Sequence, residues 1–109
     1  MIEWARIKEL RREIGDDDFN EVAELFLEES DAVIARISVS AGASMLEANL
    51  HFLKGAALNL GFRDFAALCQ HGERQAALGN CDVDLGAVIA CYHASKRALL
   101  AGEASSTAA

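Results

Sequence analysis

Apolar residues recur three and four positions apart through most of the chain, which is the spacing of amphipathic helices rather than of strands. Glycines and short polar runs interrupt the pattern and divide it into separate helices. The predicted helices span about residues 3–14, 17–40, 43–60, 63–78 and 83–101. We therefore expect an all-α fold, an antiparallel up-down four-helix bundle with a short additional N-terminal helix.

The third predicted helix has the clearest apolar seam, because its buried positions alternate four- and three-residue steps. These positions are Leu46, Leu50, Leu53, Ala57 and Leu60. At 100° per residue, His51 lies about 140° from the centre of that seam and is expected to face water. Ala48, Lys54, Gly55 and Leu58 share its exposed surface, where charged residues would be typical. The small and apolar groups there predict a docking patch for a partner.

Length and composition limit the kind of protein this can be. A chain of 109 residues forms one domain, which we place at 1–101, with 102–109 as a disordered tail. The absence of proline and an aromatic content of 6% favour helix over a β fold. A formal net charge of −7 argues against a nucleic-acid partner, because phosphate backbones are bound by clustered Lys and Arg.

The sequence also predicts a cellular setting. Its 3 cysteines lack CxxC spacing and fall in apolar-periodic segments, which fits reduced thiols in a cytoplasmic protein better than disulfides. No apolar run approaches the ~18 residues of a membrane span, and the charged N-terminal segment does not resemble a signal peptide. We expect a cytoplasmic protein with no membrane contact.

Three residues of the third helix predict phosphoryl chemistry. Glycine inside a helix costs ~1 kcal/mol relative to alanine, so Gly55 needs a reason. Its missing side chain would open a path for a partner's reactive group to His51, one turn away. Lys54 lies on the same side and could pair with an anion attached to the ring. Imidazole, cation and bare backbone together indicate a phosphoryl site.

The sequence motif around these residues resembles that of histidine-containing phosphotransfer (HPt) domains. In that family a His-x-Leu-Lys-Gly opening precedes a Leu-Gly helix stop, and here the run HFLKGAALNLGF begins at His51. The next helix then carries Phe65, Leu68, Cys69 and Glu73. The motif covers about residues 47–73, and the five-helix periodicity agrees with the family's bundle over nearly the whole chain.

The resemblance implies a carrier in a multistep phosphorelay. His51 would take a phosphoryl group from the aspartyl phosphate of one receiver domain and pass it to the aspartate of another, with Lys54 offsetting the added charge. Response-regulator receivers and a hybrid sensor kinase are the implied partners, and the chain is expected to act as a monomer. The Mg²⁺ of the reaction would be held by the receiver, so the chain needs no cofactor of its own.

The family often places a carboxylate or carboxamide on the next helix to orient the imidazole. His51 and Glu73 lie about 15 Å and about 18 Å from the Gly61 turn, so they are level to within one helical turn. Gln70 is the substitute if Glu73 points away. Two departures from the family pattern are Gly72, where leucine is usual, and Ala56-Ala57, where small hydroxylated residues are common. Gly72 should weaken the fourth helix and leaves the direction of Glu73 open.

Two other functions compete with phosphotransfer. A metal-binding bundle could use Glu47, His51, His71 and Glu73, but the Glu-x-x-His pairing of such sites is missing. A non-catalytic scaffold or inhibitor that docks on receivers or kinases is the alternative of the same shape, and the intact His51 and Lys54 argue against it. His71 and His93 lack the lysine and glycine that follow His51. Nothing resembles a glycine-rich ATP lid, so kinase activity is excluded.

Overall fold

Five α-helices make up most of the chain in the computed structural model, which describes the backbone of residues 2–108 and the side chains of 2–102. They are α1 (Trp4–Ile14), α2 (Asp16–Arg36), α3 (Ala43–Leu60), α4 (Arg63–Ala77) and α5 (Leu85–Ala108), with a 3₁₀ helix at Val39–Ala41. Within residues 2–108 there is no strand, and one isolated β-bridge pairs Ile2 with Phe62. The predicted all-α fold is confirmed.

The observed helix boundaries lie within two residues of the predicted ones except at two carboxyl ends. α2 ends at Arg36 rather than near residue 40, because Ile37 is extended and Ser38 then caps the 3₁₀ helix. α5 continues to Ala108, whereas the sequence placed its end at residue 101 and a disordered tail at 102–109. No proline follows Gly102 to end the helix. Ala109 lies outside the described residues.

Aspartates stabilise the first turns of α2 and α5 in different ways. Gly15 occupies the N-cap position of α2, and Asp16, Asp17 and Asp18 form its first turn, where their negative charges interact favourably with the positive end of the helix dipole. Asp84 caps α5, because its Oδ1 accepts a hydrogen bond from the Ala87 backbone N–H at 3.0 Å.

A tight turn at Gly61 folds α4 back along α3. Gly61 has φ 71°, and the Phe62 N–H donates to the Ala57 carbonyl at 2.8 Å. The chain before α1 lies against this turn, since the Glu3 N–H donates to the Gly61 carbonyl at 2.7 Å. A Cβ on Gly61 would lie 2.8 Å from the Glu3 carbonyl oxygen. Both the backbone conformation and this close approach therefore require glycine.

The helices share one hydrophobic core, and the predicted seam of α3 is entirely within it. Its members Leu46, Leu50, Leu53, Ala57 and Leu60 are all buried. Tyr92 and Phe65 from the later helices fill the same core. Trp4 and Leu68 fall at helical spacing with the buried Ile7 and Phe65 of their own helices, but both are partly exposed. Trp4 packs against Gly102, where a Cβ would overlap the indole ring.

The cysteines agree with the sequence interpretation only in part. Cys69, Cys81 and Cys91 are free thiols, but of these Cys69 alone is fully buried and the other two are half-buried. Burial raises the pKa of the Cys69 thiol to about 12, so it is unreactive in the folded protein.

Among the residues described, none of the helices combines the length and apolar character that a membrane crossing demands.

Candidate functional site

His51 lies on the solvent side of α3, as the helical periodicity predicts. Its two flanking core positions, Leu50 and Leu53, have no exposed surface, whereas the His51 side chain is 72% exposed. The α3 seam therefore anchors the helix and turns the imidazole outward. A group on another molecule can reach this ring without any change in the fold.

A single carboxylate on α4 holds both chemical groups of α3. Glu73 Oε2 lies 2.6 Å from His51 Nδ1, and Glu73 Oε1 accepts a hydrogen bond from Lys54 Nζ at 2.6 Å. The turn at Gly61 brings the two helices side by side, so the predicted alignment of His51 and Glu73 becomes a direct contact. Of the residues that the sequence brought forward, these three form one hydrogen-bonded group.

The carboxylate decides which ring nitrogen is available. An ionised carboxylate only accepts hydrogen bonds, so the short contact requires the proton to be on His51 Nδ1. The other ring nitrogen, Nε2, then carries the lone pair in the neutral imidazole. Because the His51 side chain is mostly exposed, an electrophile can approach the ring from solvent.

The charges around Glu73 keep it ionised. Burial alone would raise the pKa of this carboxyl, but the hydrogen bonds from Lys54 and His51 and the positive charge of Lys54 outweigh that effect. The net result is a pKa below the usual glutamate value. Glu73 is only 14% exposed, so it is a fixed acceptor between the helices rather than a solvated surface charge.

Lys54 lies on the same side as His51, as the sequence predicts, but its ammonium already has a partner. Its ammonium is fixed on Glu73 and its side chain is half-buried. An ammonium has three N–H donors, so two remain for an additional anion beside the ring. Lys54 can therefore contact an anionic group on His51 with a small movement while it keeps Glu73.

The predicted docking positions lie open around the histidine. Ala48 and Leu58 are exposed, and a Cβ built on Gly55 would meet nothing within 4 Å. The space that the sequence predicted beside Gly55 is therefore present. Asn59 Nδ2 donates to the Gly55 carbonyl at 2.9 Å, a contact that the sequence reasoning missed although the two residues lie one turn apart.

Gln70, the substitute for Glu73, does not join the group. It is exposed, and among the described residues no hydrogen bond links it to His51. Instead it lines a cavity of about 400 Å³ together with Lys54 and Leu58, towards the α3–α4 turn. The choice between Glu73 and Gln70 that the sequence left open falls to Glu73 as the contact of the imidazole.

Two further residues lie beside the candidate site. Phe52, directly after His51, is partly exposed and lines a cavity together with Val33 and Arg36 of α2, a contact that the sequence did not predict. Gly72, treated as a weakness of the fourth helix, is buried against Leu50. A glycine in a helix interior directly before Glu73 is the sequence signal that could have indicated this close contact.

The alternative of a metal-binding bundle has no support from the geometry. Over residues 2–102, where side chains are described, no three His, Cys, Asp or Glu side chains come together in a way that could hold a metal ion.

Comparisons with known proteins identify a family. The family model described as Hpt domain matches residues 21–98, a span that includes the helices α3 and α4 and most of α2 and α5. No curated protein and no solved structure gives a significant match to the chain.

Proposed function

The chain belongs to the Hpt domain family, and from this premise we propose that His51 is its phosphoryl acceptor in a multistep phosphorelay. Hpt domains carry phosphoryl groups on a histidine between receiver domains and kinases. In our proposal His51 takes the group from the aspartyl phosphate of one receiver and passes it to the aspartate of another. The direction of flow follows from which receiver is phosphorylated.

One observation supports this assignment above the others, namely the contact between His51 Nδ1 and Glu73. With the proton held on Nδ1, the nucleophilic lone pair is on Nε2 of a side chain that is 72% exposed. The helices hold this arrangement before any partner arrives. Such preorganisation is what a transfer controlled by positioning requires.

The transfer balances without any other reactant. The Nε2 lone pair forms the N–P bond as the P–O bond to the donor aspartate breaks, and that aspartate leaves as a carboxylate. The positive charge that develops on the ring is shared through Nδ1–H with the Glu73 carboxylate. In the second half-reaction the acceptor aspartate attacks the phosphorus and the imidazole leaves with its electron pair restored.

Lys54 stabilises the phosphoryl group in this proposal. Its ammonium lies on Glu73, within reach of a group bonded to the ring of His51 three residues earlier. A carboxylate that anchors both the ring and the ammonium keeps the two at a fixed separation. The Mg²⁺ of the reaction belongs to the acidic pocket of the receiver, and the chain contributes no cofactor of its own.

The surface around His51 supplies the docking contacts. Leu58 is 58% exposed, Ala48 is small and exposed, and the space above Gly55 is open, so a receiver can bring its aspartate close to the ring. The wider architecture is, in this proposal, an antiparallel four-helix bundle of α2 to α5 with α1 over one end. The protein acts as a cytoplasmic monomer that serves receivers and a hybrid sensor kinase and has no ATP-dependent activity.

The experiment is phosphoryl transfer from a panel of purified receiver domains of the same organism, each phosphorylated on its aspartate. We expect an acid-labile, base-stable label on the chain, and we expect H51Q to abolish it. H71Q and H93Q are matched controls, because both change an exposed histidine outside the site. Labelling that survives H51Q would overturn the assignment.

The same experiment separates a carrier from a non-catalytic scaffold. A scaffold that only docks on receivers would bind them equally well with H51Q and would never acquire label. A carrier loses label with H51Q while receiver binding, measured by calorimetry, stays within a few-fold of wild type.

A further inference from the structure

Gly72 lies where α3 and α4 approach each other closely. A Cβ built on it would lie 2.9 Å from Leu50 Cδ1 and 3.1 Å from Val83 Cγ1. The first of these distances is shorter than real Cβ contacts, so any side chain at position 72 would force a neighbour to move. Gly72 is buried, and solvent offers no space for such a movement.

The residues on the two sides of this contact are the chain neighbours of the site. Leu50 directly precedes His51, and Gly72 directly precedes Glu73. The bare backbone of Gly72 against Leu50 and the 2.6 Å contact between Nδ1 and Oε2 are therefore at the same level of the helix pair. A change in helix spacing at this level acts on both.

Leu50 has little freedom to relieve the contact by itself. It has no exposed surface and belongs to the core cluster of α3, so its terminal methyl groups are surrounded by other side chains. Val83 blocks the other side of Gly72. A methyl group at position 72 would thus displace α4 from α3 or turn Leu50 out of its packed position.

Helix propensity points the other way. Glycine is the least favourable residue in a helix interior apart from proline, so α4 alone would be more stable with alanine. Leucine is usual at this position in the family that the sequence resembles, but in this chain Leu50 and Val83 lie so close to Gly72 that no side chain fits without a shift. Both propensity and burial of apolar surface favour a side chain there, so its absence indicates that the short helix separation opposite Leu50 is required in this chain.

We propose that Gly72 is a positioning residue, whose missing side chain lets α4 approach α3 closely enough for Glu73 to hold His51 by Nδ1. This inference rests on the proposed function of His51 and adds the element that sets the ring's orientation. Gly72 touches no reacting atom and acts through Glu73.

The test uses a compensating pair of variants in the full chain. G72A adds a methyl group at the contact, and L50V removes the nearer of the two atoms that the methyl group would meet, so the double variant nearly conserves core volume. The readout is the ring ¹⁵N chemical shifts of His51, which report the nitrogen that carries the proton, with ¹³C titration of the Glu73 carboxyl as a second signal.

We expect G72A to reduce the fraction of His51 with the proton on Nδ1 and to slow transfer from a phosphorylated receiver roughly tenfold. The double variant should restore both. L50V alone serves as the matched control, since it opens a cavity without separating the helices and should leave the ring signals as in wild type. Ring signals and Glu73 titration that are unchanged in a folded G72A would overturn the proposal.

Should G72A fail to fold, the double variant alone decides the matter, because it must show wild-type ring signals. A double variant that folds with altered ring signals contradicts the proposal. The NMR measurements need no receiver, so they test Gly72 even if wild-type protein never accepts a phosphoryl group. Failure of the wild-type protein to accept a phosphoryl group would instead contradict the proposed function of His51.

Discussion

Two carboxylates of this protein are bound in the same way and yet differ in what they can do. One carboxylate oxygen of Glu73 accepts a hydrogen bond from the His51 ring, and the other accepts one from the Lys54 ammonium. Asp31 on α2 likewise accepts the Tyr92 hydroxyl on one oxygen and the Lys96 ammonium on the other. Each group ties two helices together.

The difference lies in the exposure of the ring. Tyr92 is 1% exposed and packs against Phe62 and Phe65, and its hydroxyl also reaches the Leu27 carbonyl at 3.2 Å. Burial and the Asp31 charge raise the pKa of the phenol, so it stays protonated. His51, 72% exposed, keeps one nitrogen free for chemistry. In this protein a hydrogen-bonded carboxylate therefore indicates a candidate reactive site only where the ring that it binds is exposed and has a second polar atom available for reaction.

Separate substitutions of Tyr92 and His51 should distinguish a residue needed for stability from one needed for phosphoryl transfer. Tyr92→Phe removes a buried hydroxyl and should lower the free energy of unfolding by about 1–2 kcal/mol, with no change in transfer. His51→Gln should abolish transfer and change stability by at most about 0.5 kcal/mol. Urea unfolding and receiver-dependent labelling of both variants measure the pattern. A large stability loss in the histidine variant would erase the contrast.

Lys54 and Lys96, which each bind one of the two carboxylates, allow the same comparison with a smaller expected effect on transfer. Lys54→Ala should slow transfer about tenfold, equivalent to ~1.4 kcal/mol of transition-state stabilisation, because the phosphoryl group loses its nearest cation. Lys96→Ala, which also removes an ammonium from a carboxylate, should leave transfer unchanged. Single-turnover kinetics measure both, and circular dichroism checks that the helices persist. Equal slowing by the two variants would show that charge near the ring has no specific role.

Acid should weaken both groups with the same sign. The pKa of Glu73 and that of Asp31 are both lowered despite burial, which alone would raise them, because their lysines and ring partners favour the charged form. A lowered folded-state pKa adds stability above the unfolded pKa, ~4.3 for glutamate and ~3.9 for aspartate, and this stability is lost as pH falls through the folded pKa.

Wild type should consequently exceed Glu73→Gln in stability by up to about 1 kcal/mol above pH ~5, with the gap closing at lower pH. Asp31→Asn should show the same closing gap. Urea unfolding across the acid range measures it, and of the two variants the glutamate one alone should also slow transfer. A gap that widens towards low pH would reverse the sign that we assign to the hydrogen bonds.

The smallest expected effect concerns access to the exposed ring. Gly55→Ala should raise helix stability by up to ~1 kcal/mol, because the added Cβ meets open space. A longer residue, as in Gly55→Gln, should weaken receiver docking while the fold stays intact. Binding measured by calorimetry against unfolding in urea separates the two effects, and unchanged docking with glutamine would remove the close-approach argument for this glycine.

Periodicity predicted the parts of the molecule that depend on local sequence. The five helices, the buried α3 seam and the outward histidine all follow from the spacing of apolar residues. The exposure of Trp4 and Leu68 does not follow from this spacing, because periodicity gives the direction of a side chain but not which neighbour covers it. The end of α2 was misplaced because Ser38 starts a separate short helix there.

The residues of the candidate site were named from the sequence, but the hydrogen bonds between them were not. Spacing along α3 placed His51, Lys54 and Gly55 on one surface. The resemblance to Hpt domains pointed to Glu73, and the distance of His51 and Glu73 from Gly61 along their helices placed these two at the same level. That Lys54 is fixed on Glu73, and that Gly72 contacts Leu50, depends on the separation of two helices. Helix separation is set by side-chain packing between chain segments far apart in sequence, which periodicity within one helix does not contain.

The proposed mechanism depends most on which nitrogen of one ring receives phosphorus. The measurement is the coupling between ³¹P and the ring nitrogens in protein with ¹⁵N-labelled histidine, after phosphoryl transfer from a phosphorylated receiver. A one-bond coupling at Nε2 of His51, with Nδ1 still protonated and uncoupled, is the predicted result. Phosphorus bonded to Nδ1, or to His71 or His93, would contradict a mechanism in which Glu73 holds the proton on Nδ1 and leaves Nε2 to react.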